Sequence, residues 1–432
     1  MLKRVLSRLD PTWQAEVDPS RMLWVGVDIS SRQHEACVGT SDRVLRRRLA
    51  IANTRDGLAR LEAAISKEER AIRAQVVIVG MEPSGVYWKP LAAQLRQRGY
   101  AVVLVHTRAV RHNRQTMRDG SKTDTKDALA IWDLLRQGKF FLPLERDAEH
   151  EAAYRLMQHY AASRRRSAQI RNQLRSVLAL AFPELNERFR HLDGKTALAF
   201  LAKNPTPASI RRLGRQRFLT RWRGPHGRWG RKFFEELYEL AKHSIGLEEP
   251  TGSFEAEIQT LVAEFRRALE NQEHWFQQAL VRLEHRPEYP LLLSIKGIGP
   301  KIAVGLLASL GNVRHFECGK QWVRLAGLDV QLFESGDSVH RTPRISRQGK
   351  SLLRTWLYHA AVILVRFDGP FRELYERRKA SSPGKGAKSR ALMAVADKLV
   401  RVIFAMLRDG RVYDPHHDQK IKEVYSRLRM AA

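Results

Sequence analysis

The chain has 432 residues, enough for two or three domains with sizeable cores. Its 76 Lys and Arg against 46 Asp and Glu leave a formal charge of +30, which points to a polyanion, nucleic acid before an anionic membrane surface. Cys37 and Cys318 are too few for a disulfide framework or a zinc site, no apolar run is long enough for a membrane span, and MLKRVLSRLDPTWQAEVDPS lacks a signal-peptide core, so a reducing cytosol is expected.

Residues 1–21 read as a loose lead-in. From Met22 the runs LWVGVDIS, QHEACVGT and RVLRRRLAI follow at short spacing and predict three antiparallel strands, with Cys37 as a small core residue. Asn53 or Thr54 caps a helix to about Lys67, in which Leu58, Leu61, Ala64 and Ile65 recur at helical spacing. QVVIVGME predicts a buried strand, SGVYWKPLAAQLRQRG a helix and YAVVLVH a further buried strand. Three strands, helix, strand, helix, strand is the order of an α/β ribonuclease-H-like fold, a mixed sheet with flanking helices, assigned to residues 22–145.

Four acids occupy telling places in that frame. Asp28 ends the first strand and Glu82 the fourth, while Asp124 and Asp127 open a helix in GSKTDTKDALAIWDLL, three residues apart and so on one face. Taken alone, Asp124 and Asp127 could be only helix caps. Asp28 and Glu82, flanked by VGV and VIVGM, need a partner at a sheet end. Carboxylates brought together need a cation, and hard oxygen donors select Mg²⁺ or Mn²⁺.

Residues 146–287 predict a helical, coiled-coil-like arm. In its first helix Ile170, Leu174, Val177 and Leu178 share one face, and Arg164, Arg165, Arg166, Arg171 and Arg175 cover the rest, where they can hold a phosphate backbone or simply face water. Residues 195–250 read as irregular. There Arg221, Trp222 and Arg223 lie in a basic–aromatic stretch with Trp229, Phe233 and Phe234, which suits stacking on unpaired bases or a small helical core. A second long helix from Phe254 to about His285 is expected to pair antiparallel with the first.

Residues 288–410 form a mostly helical C-terminal domain opening on LLLSIKGIGPKIAVGLLASLG. Gly297 to Gly299 predict a tight turn and Pro300 a helix start, a helix-hairpin-helix element whose amides, with Lys296 or Lys301, can hold a phosphate. Glu334-Ser335-Gly336 follows, then the cations Arg341, Arg344, Arg347, Lys350 and Arg354. A hydroxyl among cations is what a phosphodiester nucleophile needs, although from this stretch alone Ser335 reads as a turn residue. The helical pattern breaks at Gly369-Pro370, and residues 411–432 read as a surface tail. There is no Walker A pattern, dinucleotide fingerprint or internal repeat.

VGVDISSRQHEACV, MEPSGVYWKPLAAQL and SKTDTKDALAI resemble the three acidic motifs of insertion-sequence transposases related to the Piv DNA invertase, the DEDD-and-serine family of bridge-RNA-guided recombinases. SIKGIGPKIA, the Gly-Leu at 327–328, ESG at 334–336 and RISRQGKSLLR resemble that family's C-terminal transposase domain. Val330 stands where the family often has proline, and the 195–250 region is longer than a minimal member needs. The resemblance implies a RuvC-like domain in which Asp28, Glu82, Asp124 and Asp127 hold Mg²⁺. It implies that Ser335, with Ser338 as the nearby alternative, attacks the phosphodiester to form a phosphoserine. It further implies a structured non-coding guide RNA, donor and target double-stranded DNA, dimers or tetramers in which one subunit's serine completes another's acidic site, and a bacterial cytoplasmic location. Two competing readings remain: a hydrolytic RuvC-like nuclease of the junction-resolvase type, and a non-enzymatic nucleic-acid-binding protein whose acids are caps.

Overall fold

A computed structural model describes residues 18–116, 123–144, 146–222, 230–249, 251–331, 344–381 and 383–417. They fall into two compact units, one ending at Glu145 and one beginning at Arg146.

The first unit is a mixed five-stranded sheet with helices on both faces. Its elements in order are β1 (Met22–Asp28), β2 (Gln33–Gly39), β3 (Val44–Ala52), α1 (Arg55–Ile72), β4 (Val76–Met81), α2 (Trp88–Gln97), β5 (Ala101–Leu104), α3 (Thr107–Gln115) and α4 (Asp124–Arg136). The strand order is β3-β2-β1-β4-β5. The first three strands are antiparallel neighbours, whereas β4 and β5 join parallel after helical crossovers. Side chains alternate across the sheet. Leu23, Val25 and Val27 pack in one core with Leu61 and Ile65 of α1 and Leu95 of α2. Trp24, Cys37 and Ile78 pack on the other face with Ile131 and Leu135 of α4. Cys37 is a core residue as expected, and burial pushes its thiol up to about 12.

Thr54 caps α1 by accepting from the Gly57 amide at 3.2 Å. The helix outruns the expected end near Lys67 and stops only where Arg73 turns left-handed at φ +53°. Long charged side chains lose little freedom in a helix, so the polarity of KEER did not end it.

The second unit is helical and built on a pair of long helices. α5 (Ala148–Ala181) is followed by α6 (Pro183–Arg188), α7 (Lys195–Lys203), α8 (Pro207–Leu213), α9 (Arg215–Arg221), α10 (Arg231–Lys242) and α11 (Ser253–Leu283). α11 returns antiparallel along α5: Arg166 meets Glu264 at 2.5 Å, Gln272 donates to Ser167 Oγ at 3.0 Å, and Arg286, just past α11, meets Asp147 at 2.5 Å. The far end of this pair carries one core, in which Leu174, Leu178 and Phe265 meet the short helices α6 to α10. The near end carries another, in which Met157, Tyr160 and Phe276 meet the C-terminal helices.

The described part of 195–250 is therefore not irregular. Its Pro and Gly signals punctuate short helices: Thr206 and Ser209 form a capping box at α8, and Gly214, at φ +75°, separates α8 from α9. The use of Trp222 as a base-stacking platform is also overturned. Trp222 is 5% exposed, stacks on Phe234 at 5.4 Å between ring centres, and donates its indole N–H to Asn204 Oδ1 at 3.1 Å. A small lobe of short helices needs large side chains to fill its centre, and the aromatic half of the basic–aromatic pattern does that.

The C-terminal helices are α12 (Glu288–Leu293), α13 (Pro300–Ser309), α14 (Gly319–Ala326), α15 (Ser351–Leu364), α16 (Pro370–Ser381) and α17 (Ala387–Asp409). Between α14 and α15 lies a minimal antiparallel pair, β6 (Val330–Gln331) with β7 (Arg344–Ile345). The turn before α13 is as expected: Gly297 has φ +100°, and a Cβ there would lie 2.7 Å from the Phe367 ring. Among the described residues no helix is long and apolar enough to cross a membrane.

Candidate active site

The parallel pairing of β1 with β4 sets Val27 beside Met81, so Asp28 and Glu82 leave adjacent strands at the same sheet edge. Alternation fixes their direction. Val27 and Met81 belong to the core on the α1 face, so the next residue on each strand turns to the α4 face. There α4 begins. Thr123 accepts from the Lys126 amide, which places Asp124 and Asp127 in the first turn, where the helix dipole favours negative charge.

Two glycines let α4 come close enough. A Cβ on Gly26 would meet Trp132 N at 2.4 Å and Ala128 O at 2.5 Å, both backbone atoms. A Cβ on Gly80 would meet the Leu135 side chain at 2.4 Å. Any side chain at Gly26 would push the helix, and its acids, off the sheet.

The electrostatics record the convergence. The Asp28 carboxyl is pushed up to about 7, first by burial and then by the charges of Asp127, Asp124 and Glu82, against a lowering by the Ile29 amide. The other three acids therefore all bear on Asp28. Asp127 is buried, with 6% exposure, and Arg114 of α3 pairs with it at 2.5 Å from Nη1 to Oδ1. Asn113 ties α3 to α4 by donating to Ala130 O at 3.1 Å and Asp133 Oδ2 at 2.9 Å. Glu35, also buried, sits directly across from Asp28 on β2 and is held by Arg48 at 3.1 Å. As they stand, no three His, Cys, Asp or Glu side chains among the described residues are close enough together to hold an ion. The chemistry of the set nevertheless fits a hard divalent cation, since its donors are carboxylate oxygens and the charge repulsion raising Asp28 is what a cation relieves.

Sequence reasoning missed Arg114, Glu35 and the two glycines. The signal for the glycines was present, because VGVD and IVGME each place glycine two residues before the acid.

The residues expected to contact nucleic acid lie in the second unit, apart from those of 223 and 332–343, and their surroundings differ. Arg164 contacts His359 Nε2 at 3.1 Å, whereas Arg165 and Arg171 are exposed with no hydrogen-bond or ion-pair partner among the described residues. Arg175 is structural, donating to the carbonyls of Asn186, Phe189 and Arg190 at 2.7–2.9 Å. Lys296 lies 5.2 Å from the Phe367 ring centre, and Lys301 pairs with Glu273 at 2.9 Å. Arg221, Arg344, Arg347 and Lys350 are exposed, and Arg347 holds a left-handed φ of +54° while its amide donates to Gly327 O at 3.1 Å. Ser335, Ser338, Arg341 and Arg223 lie outside the described residues. The described residues on either side of 332–343 are clasped: Ser346 Oγ donates to Asp329 Oδ1 at 2.5 Å, and its amide to Asp329 O at 2.7 Å.

Comparison with known proteins agrees with this frame. Residues 25–183 match a family model described as a transposase, and residues 289–376 match the transposase family IS116/IS110/IS902. The chain is 27% identical to the 43.6-kDa protein of insertion element IS110 from Streptomyces coelicolor, over 91% of this chain and 95% of that protein. It is 28% identical to the 44.8-kDa protein of insertion element IS116 from Streptomyces clavuligerus, over 91% and 96%. It is 32% identical to the pilin gene-inverting protein of Moraxella bovis, over 31% and 40%. The first model spans all four acids and the second spans Ser335, so one chain carries both transposase domains of the IS110/IS116 family of insertion sequences.

Proposed function

We propose that this protein cleaves and rejoins DNA strands at the ends and target of an insertion sequence, using a divalent metal ion held by Asp28, Glu82, Asp124 and Asp127 and the hydroxyl of Ser335. The observation that carries the reading is the charge of Asp127, Asp124 and Glu82 bearing on Asp28, from two strand ends and one helix turn. The five-stranded mixed sheet supports a RuvC-like assignment for residues 22–145, and the Gly297 turn between α12 and α13 supports a helix-hairpin-helix phosphate contact near Lys296.

Mg²⁺ or Mn²⁺ bound there supplies Lewis acidity for the attacking and leaving oxygens of phosphoryl transfer. The four carboxylates hold and orient that site, and α4 fixes two of them in one turn. Ser335 Oγ bonds to phosphorus as the P–O bond to deoxyribose breaks, and the proton lost from Oγ is balanced by the one the departing deoxyribose oxygen takes up to leave as a hydroxyl. Serine at its ordinary acidity is a weak nucleophile, so Ser335 acts only beside such a site. The serine–phosphate bond conserves the phosphodiester, which lets a second hydroxyl reverse the step and join a new strand. The exposed cations Arg165, Arg171, Arg344, Arg347 and Lys350 contact phosphates of double-stranded donor and target DNA. A structured guide RNA selects those sites, and on the lobe of short helices it meets the exposed Arg217 and Arg221 rather than the buried rings. Subunits assemble as dimers or tetramers so that one copy's serine serves another's acids.

The test uses the full chain with Mg²⁺, the RNA transcribed beside its gene and an end-labelled DNA junction, run on a denaturing gel. Label travelling with the protein, and lost in Ser335→Ala, is the expected result. Cleavage that persists in Ser335→Ala without protein-linked label would replace the recombinase with a hydrolytic nuclease.

A further inference from the structure

We propose that Arg114 is the exchangeable counter-ion of the acid site: its guanidinium neutralises Asp127 while no divalent ion is bound and releases that carboxylate when one binds. The inference rests on the metal-site reading of the four acids and adds a residue that this reading does not use.

Asp127 is the buried member of the four; Asp28 and Glu82 are half-buried and Asp124 is exposed. A buried carboxylate without a counter-charge is costly, so Asp127 needs a cation whether or not metal is present. Arg114 provides one at 2.5 Å, and the two side chains are only 15% and 9% exposed. Because a guanidinium stays protonated throughout the ordinary pH range, it is displaced by another cation rather than by loss of a proton. The hold is also less than arginine can offer. Arginine and a carboxylate commonly pair through two parallel N–H donors. Here one nitrogen, Nη1, makes the hydrogen bond to Asp127, and among the described residues the buried Nε has no partner. A single-point pair leaves the other Asp127 oxygen outside the ion pair and can part without breaking a fork.

The arginine is placed for this on purpose-built scaffolding. Asn113, the preceding residue, anchors α3 to α4 through Ala130 O and Asp133, so the backbone that carries Arg114 is fixed against the helix that carries Asp127. Exchange then requires only the side chain to swing, not the helix to move. Three acids bear on Asp28, yet among the described residues no three His, Cys, Asp or Glu side chains stand at ion-binding distance. With Arg114 on Asp127, part of the charge that would recruit an ion is already balanced.

The test is calorimetric titration of the full chain with Mn²⁺ alone, beside thermal melts with and without Mn²⁺. Arg114→Gln should bind Mn²⁺ roughly tenfold more tightly than wild type, because a competing charge has gone from a partly buried site. Its melting temperature should fall without Mn²⁺ and return to the wild-type value at saturating Mn²⁺. Arg114→Lys, which keeps the charge as a mobile point, should lie between the two. Equal or weaker Mn²⁺ binding in Arg114→Gln overturns the proposal, weaker binding meaning that Arg114 orients Asp127 for the ion. If Arg114→Gln does not fold, Arg114→Lys decides, and equal or weaker binding there overturns it. Asp28→Asn separates the two readings. If Asp28→Asn abolishes Mn²⁺ binding while Arg114→Gln matches wild type, only the counter-ion proposal fails. If wild type shows no Mn²⁺ binding that Asp28→Asn removes, both fail.

Discussion

The two units carry their charge in opposite ways. In the sheet unit, four acids from β1, the end of β4 and the first turn of α4 are forced to share one edge, and the cost appears as the raised Asp28 carboxyl. In the helical unit, a far larger number of cations is spread along helix surfaces, and several are engaged with their own chain: Arg166 with Glu264, Arg188 with Glu236, Arg212 with Glu255, and Lys301 with Glu273. Like charges concentrated at fixed backbone positions indicate a site that expects a partner ion. Cations that meet acids one by one mostly indicate a surface, and isolated surface pairs of that kind add little stability.

The comparison breaks most decisively at Asp28. Asp28→Asn or Asp124→Asn should lower DNA cleavage at least about a thousandfold, with melting temperature held or raised, because repulsion is relieved while chemistry is lost; strand cleavage and circular dichroism measured side by side check it. In the helical unit the large effect is on folding instead. Trp222→Ala should cost about 3–5 kcal/mol in urea unfolding, since it empties the centre of a lobe and orphans Asn204. Gly26→Ala sharpens the contrast, because it acts on both quantities. Its methyl meets backbone atoms of α4, so stability should fall by about 1–3 kcal/mol or more and Mn²⁺ binding should weaken with it.

A smaller effect follows from pH. In metal-free protein Asp28 binds its proton up to about 7, whereas the unfolded chain releases it near the ordinary value of 3.8. Between those limits the folded state holds the extra proton, so stability should fall as pH rises through the window and level off above about 7. Mn²⁺ affinity should rise over the same window as the proton ceases to compete. Urea melts and Mn²⁺ titrations from acid to neutral pH check both, and Asp28→Asn should flatten the stability slope. The smallest effect belongs to the exposed cations. Arg171→Ala should leave folding unchanged and reduce the salt slope of DNA binding by about 0.9. An unchanged slope would remove that face from the DNA contact.

What the sequence made legible follows from period and position. The five strands and the two long helices were readable because each buries residues at its own period, as Leu23, Val25 and Val27 do on β1 and Ile170, Leu174 and Leu178 do on α5. The placement of the four acids at two strand ends and a helix start was readable because strands and helix were. Arg114 was not, since an arginine in TRAVRHNRQ looks like any other until α3 is laid on α4. Trp222 stood undecided between stacking and core because a basic–aromatic pattern does not say which half faces inward, and that depends on how short helices close around Phe200, Phe218 and Phe234. The close approach at Gly26 was visible only as an unremarked letter beside Asp28.

Acids from three separate elements are proposed to form one divalent-ion site. The most direct measurement is Mn²⁺ binding, read by electron paramagnetic resonance, in wild type and in Asp28→Asn, Glu82→Gln, Asp124→Asn and Asp127→Asn. Wild type should show one tight site, weakened by every one of the four substitutions. Wild-type affinity in Asp28→Asn or Glu82→Gln would contradict it, because the strand ends and the helix would then not be sharing an ion.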